Sequence, residues 1–139
     1  MLNSKPILLV ENDRIDAMTV KRALREIKLK NNLVHVSNGE EALKHLKNNG
    51  DMKPCVILLD LDMPRMNGIE FLKLAKDDEE LKSIPVIVLT SSDEERNIDE
   101  SFKSNVAGYI IKPADYKKFV ETIRTVALYW NLCELPIGG

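Results

Sequence analysis

The sequence predicts a doubly wound α/β domain built on a five-stranded parallel sheet. Five short apolar runs alternate with five longer amphipathic stretches, and the runs show little polar alternation, as in strands buried on both faces. A length of 139 residues suffices for one domain with a proper core.

The first run, Ile7 to Val10, ends at Glu11-Asn12-Asp13. It is followed by Ala17, Val20, Leu24 and Ile27, spaced three and four apart as one helical stripe. The second run is Leu33 to Val36. Asn38 after it can cap a helix, with Glu41 three residues on reaching back to its amide. Cys55 opens the third run, Val56 to Leu59, which ends at Asp60. Asp77-Asp78-Glu79-Glu80 reads as a solvated helix end and loop. The fourth run, Val86 to Leu89, leads to Thr90-Ser91-Ser92, where Ser92 and Glu95 repeat the capping-box spacing. The fifth, Tyr109 to Ile111, leads to Lys112-Pro113. The last helix carries Tyr116, Phe119, Val120, Ile123 and Ala127 on its stripe and runs to Trp130. Residues 1–130 thus read as one domain and 131–139 as a short tail, with no output domain.

Composition narrows the function classes. Twenty basic and 22 acidic side chains give a net charge of only −2, without the clustered positive charge that a nucleic-acid surface needs. The only two cysteines, Cys55 and Cys133, are too few for a disulfide scaffold and suit a reducing setting. No segment approaches the roughly 20 apolar residues of a spanning helix, and the N-terminus lacks a signal-peptide pattern. A cytoplasmic protein with no membrane partner is expected.

In doubly wound folds, ligands bind beyond the carboxyl ends of the strands. Separate strand ends deliver Glu11 and Asn12, Asp60 with Asp62, Thr90, and Lys112 to that edge. Carboxylates gathered there suit a hard divalent cation such as Mg2+.

The turn Glu11-Asn12-Asp13, the segment Asp60-Leu-Asp-Met-Pro-Arg-Met-Asn-Gly68, Thr90-Ser91, and Tyr109 before Lys112-Pro113 resemble the receiver domain of bacterial two-component response regulators. The likeness runs from about Pro6 to Trp130, with each motif on the right element in the right order. It implies a flavodoxin-like sheet of order 2-1-3-4-5. It implies that Asp60 is a phosphoacceptor, with Mg2+ held by Glu11, Asn12, Asp60 and the backbone carbonyl of Asp62. Lys112 would hold a phosphoryl oxygen, turned into the site by a cis bond to Pro113. The Thr90 hydroxyl would hold another oxygen, and Tyr109 would turn inward behind it as the switch. The implied partners are a sensor histidine kinase or phosphotransfer protein and a downstream protein target. A homodimer through the fourth helix, fifth strand and fifth helix, or through the apolar tail, is a further expectation. The ending from Trp130 to Leu135-Pro136 resembles stand-alone receivers partnered with bacterial phytochrome kinases. No turnover of an external substrate is expected.

One departure stands out. Most receivers carry two adjacent acids after the first strand, and here the second place is Asn12, a neutral ligand that predicts weaker Mg2+ binding. Asp13 is expected to cap the first helix instead, and the Asp62 side chain is a candidate substitute ligand. Asp62 and Ser92 occupy positions that, by the resemblance, flank the path of the hydrolytic water. Three alternatives stay open. One is a degenerate receiver that binds partners without phosphorylation. Another is a haloacid dehalogenase-type phosphatase using Asp60 and Asp62. The third is a flavin carrier, although the first turn lacks a hydroxyl- and glycine-rich phosphate loop. His35 and His45 read as structural or solvent-facing.

Overall fold

The computed structural model describes residues 5–26, 31–48, 53–63 and 65–132, with backbone only for 129–132. Ile27, Pro64, Cys133 and the rest of the tail lie outside the described residues.

Five strands and five helices alternate strictly: β1 (Ile7–Val10), α1 (Arg14–Glu26), β2 (Leu33–Val36), α2 (Gly39–Asn48), β3 (Val56–Leu59), α3 (Gly68–Asp77), β4 (Val86–Thr90), α4 (Glu95–Lys103), β5 (Gly108–Ile111) and α5 (Tyr116–Leu132). All strands pair in parallel in the order β2-β1-β3-β4-β5. The predicted fold class and strand order are both borne out.

Successive strand residues point to opposite faces, so each strand feeds two cores. Leu8, Val10, Ile57, Leu59, Val86 and Val88 pack with Leu46 of α2 and with Phe71 and Leu72 of α3. Ile7, Leu9, Val56, Leu58, Ile87 and Leu89 pack with Val20 of α1 and with Phe119 and Ile123 of α5. Two-sided burial therefore explains the unbroken apolar runs of β1, β3 and β4. It does not extend to β2 and β5, which are only partly buried because they form the sheet edges. Tyr116 likewise falls off the buried stripe of α5; its hydroxyl accepts a hydrogen bond from Arg22 of α1.

The helix starts follow local chemistry. Asp13 caps α1 as expected, its Oδ1 accepting from the amides of Ile15 and Asp16 at 2.9 and 3.0 Å. Asn38 caps α2, but Glu41 reaches the amide of Ser37 and the side-chain amide of Asn38 instead of the Asn38 backbone. A complete capping box forms at Asn67 and Glu70, which sequence reasoning overlooked. The box expected at Ser92 does not form. α4 begins after Glu94, and the Ser92 hydroxyl instead accepts from Asn97 Nδ2 at 2.8 Å.

α4 is the least anchored helix. Only Ser101 is buried along it, and among the described residues that hydroxyl has no hydrogen-bond partner.

Candidate functional site

The backbones that carry the strand-end residues are pinned by the sheet itself. The Glu11 amide donates to Val36, the Asp60 amide to Val10 and the Lys112 amide to Thr90, each at 3.0 Å or less. The side chains can move, while the backbone beneath them is held.

Lys112 brings the cluster together. Its ammonium lies 2.8 Å from Glu11 Oε1, 2.8 Å from Asp16 Oδ2 and 3.8 Å from Asp60 Oδ2. The side chain of Lys112 is 7% exposed, those of Glu11 and Asp60 are 1% and 4%, and that of Asp16 is 27%. Burial pushes Glu11 up to about 8 against the lowering effect of its hydrogen bond to Lys112, and the charge of Asp60 adds to the rise. Burial alone would depress Lys112. Its hydrogen bonds to Asp16 and Glu11, with the charges of Glu11 and Asp60, outweigh that and raise it. The ammonium therefore stays charged at neutral pH.

The other expected residues fall around this cluster. Thr90 is fully buried at the end of β4, its Oγ1 accepting from the Ser92 amide at 3.4 Å. The Tyr109 ring packs against the core, and its hydroxyl donates to the Ser92 carbonyl at 2.8 Å. Asn12 is exposed on the rim, and Asp62 is exposed as well. The Asp62 amide donates to Asp60 Oδ1 at 3.3 Å, while its residue lines an open cavity of about 470 Å3 beside Asn67, Ser92 and Asn97. The Lys112–Pro113 peptide is trans, correcting the expected cis bond. The long lysine side chain reaches the carboxylates without it.

Two site residues were missed. Asp16 in the first turn of α1 shares the Lys112 ammonium. His35 of β2 places Nε2 2.8 Å from the carbonyl oxygen of Glu11, which makes it structural, as expected, but at the site. Glu41, Lys44 and His45 line a separate open groove on α2 that holds none of these residues.

The donor set suits a hard cation. Glu11 and Asp60 are buried neighbours whose negative charges repel, with the neutral Asn12 on the rim. Among the described residues, no three His, Cys, Asp or Glu side chains gather as a metal cluster.

Residues 7–124 match the model of the response regulator receiver domain. This chain belongs to that family. It is 32% identical over 130 residues to the response regulator Rcp1 of Synechocystis, covering 91% of this chain and 88% of that one. The structure of the phosphorylated cyanobacterial phytochrome response regulator RcpA is similar with a TM-score of 0.91 and 33% identity, over 96% of this chain and 99% of that one. The Mn2+-bound form of Rcp1 is similar with a TM-score of 0.88 and 31% identity, over 95% of this chain and 99% of that one. Receivers of this family work by phosphorylation on an aspartate, bind a divalent metal, and relay signals from kinases or phosphotransfer proteins to downstream targets. They are generally not metabolic enzymes. Among the described residues of this receiver, no helix is long and apolar enough to cross a membrane.

Proposed function

We propose that this receiver accepts a phosphoryl group on Asp60 from the phosphohistidine of a sensor kinase or phosphotransfer protein. The observation that carries this reading is the Lys112 ammonium 3.8 Å from the Asp60 carboxylate, with both groups buried at the ends of their strands. One carboxylate oxygen of Asp60 forms the bond to phosphorus, the phosphorus–nitrogen bond breaks with its electron pair going to the ring, and the imidazole leaves neutral, retaining the proton on its other nitrogen. Lys112 meets one phosphoryl oxygen and the Thr90 hydroxyl donates to another. Glu11, Asn12, Asp60 and the Asp62 carbonyl are the residues that would hold Mg2+. The ion supplies positive charge to the phosphoryl oxygens when bound.

Tyr109 is the switch on this reading. Its hydroxyl bond to Ser92 ties β5 to the loop before α4, the most weakly anchored helix, so a phosphoryl group drawing on Thr90 biases that loop. A downstream protein, or a second copy of the chain, would read the face of α4, β5 and α5. The receiver unit acts in the cytoplasm, and because α5 runs to Leu132 it extends two residues past the expected boundary at 130.

The test is intact-mass measurement after incubation with a small phosphodonor, with and without Mg2+. Wild type should gain one phosphoryl mass only with Mg2+, and Asp60→Asn none. Label on the Asn variant would remove the acceptor assignment. An unlabelled wild type would favour the degenerate receiver, which the neutral Asn12 motivates.

A further inference from the structure

The Lys112 ammonium has three N–H donors, and its two short bonds run to Glu11 and Asp16, not to Asp60. At 3.8 Å, Asp60 is an ion-pair neighbour without a hydrogen bond. One N–H is left over, but the two short bonds fix where the ammonium sits, so drawing it closer than 3.8 Å toward Asp60 stretches or breaks one of them. Asp16 is the partner best placed to give way. Its side chain is 27% exposed, so water can replace the ammonium, whereas Glu11 is 1% exposed and has no such replacement. Asp16 is neither the proposed acceptor nor a proposed metal ligand, and the local use of its carboxylate is the favourable charge it brings to the first turn of α1. The amide of Asp16 is capped by Asp13, and its own side chain leaves α1 to reach a residue 96 positions away.

We propose that Asp16 is a positioning residue that holds Lys112 back from Asp60. The strength of this pair then sets how tightly a phosphoryl group on Asp60 is gripped. This rests on the reading of Asp60 as acceptor. The Asp16 pair and a move toward the phosphoryl group compete for the position of the ammonium, so weakening the pair favours the phosphoryl state. A charge-assisted bond at a partly exposed site gives an effect of about five- to tenfold.

The experiment measures beryllofluoride affinity by calorimetry at fixed Mg2+ for wild type, Asp16→Asn, Asp13→Asn and Asp60→Asn. Asp13→Asn removes the same charge three residues away and keeps a capping oxygen, without touching Lys112. Asp16→Asn should bind about five- to tenfold tighter than wild type and Asp13→Asn within about twofold of it. In the ligand-free protein, the ammonium 15N resonance of Lys112 should shift in Asp16→Asn and stay in place in Asp13→Asn. Equal or weaker binding by Asp16→Asn overturns the proposal. So does equal tightening by Asp13→Asn, which would reveal only a general charge effect, and so does an unmoved Lys112 resonance. Wild type that binds no beryllofluoride, or Asp60→Asn that binds it equally, overturns the acceptor reading itself.

Discussion

Gly68→Ala is the substitution that most directly tests how the fold holds Asp60. The backbone at Gly68 is not left-handed, so space and not conformation excludes a side chain there. A Cβ would lie 2.5 Å from Leu61 Cα, 2.7 Å from the Asp60 carbonyl oxygen and 2.7 Å from Leu61 Cδ2. Two of those three atoms are backbone, pinned by the sheet, so α3 must retreat from the end of β3. Retreat strains the bond from the Gly68 amide to the Leu61 carbonyl, 3.0 Å long. Overpacking costs about 1–3 kcal/mol and a weakened hydrogen bond about 1 kcal/mol, against at most about 1 kcal/mol gained in helix propensity. The net loss is about 1–3 kcal/mol, read in urea as a midpoint about 1 M lower at unchanged slope. Gly39→Ala is the comparison, because two of its three contacts are to the flexible Met66 side chain, and it should lose less. Gly68→Ala as stable as wild type would refute the steric argument and imply a looser junction beneath Asp60.

Three further outcomes follow from particular groups. Ser101→Ala should raise stability by about 1 kcal/mol, since the buried hydroxyl lacks a partner among the described residues, and calorimetry showing a lower Tm would mean that it has one. Tyr109→Phe should cost about 1 kcal/mol and speed amide exchange from Ser92 to Asn97, because the ring stays while the bond to the Ser92 carbonyl goes. With metal chelated, stability should fall as pH rises from about 4.5 to about 8. Glu11 has its folded pKa raised from 4.5 to about 8, so its contribution is complete below the unfolded value and lost through the folded one. Glu11→Gln should flatten that slope in denaturant titrations, and an unchanged slope would assign it to another group.

The sequence made most of this legible where backbone topology alone decides position. A residue that ends a strand of a parallel sheet must stand at one edge, so Glu11, Asp60, Thr90 and Lys112 could be gathered before any coordinates. Strand exposure was less legible, because nothing within Leu33-Val-His-Val36 marks it as an edge. Ser92 failed as a cap because its hydroxyl found Asn97, a competition that the S-x-x-E spacing does not report. Asp16 was hidden for a deeper reason. Its role depends on the first turn of α1 lying beside the residue that follows β5, 96 positions on, and an acid in a helix's first turn ordinarily serves the helix dipole. His35 belongs to the same class, a side chain whose partner is a backbone atom on the neighbouring strand.

Asp16 also changes what Asn12 means. Three carboxylates already surround one ammonium, in a pocket where water reaches little besides Asp16. The excess negative charge there is relieved by a proton on Glu11 or, on the proposed reading, by a divalent cation, and the two compete. A fourth carboxylate at position 12 would strengthen the cation's hold and worsen the repulsion without it. Asn12→Asp should therefore lower the Mg2+ needed for phosphorylation and also lower stability in chelator. Because residue 12 is exposed, the stability cost should stay near or below about 1 kcal/mol. Measuring both on one variant separates the explanations. A lower Mg2+ requirement with unchanged chelated stability would mean that residue 12 ligates the ion without sharing the buried charge. No change in either would show that the amide is not limiting and that the cation's hold is set by the buried acids.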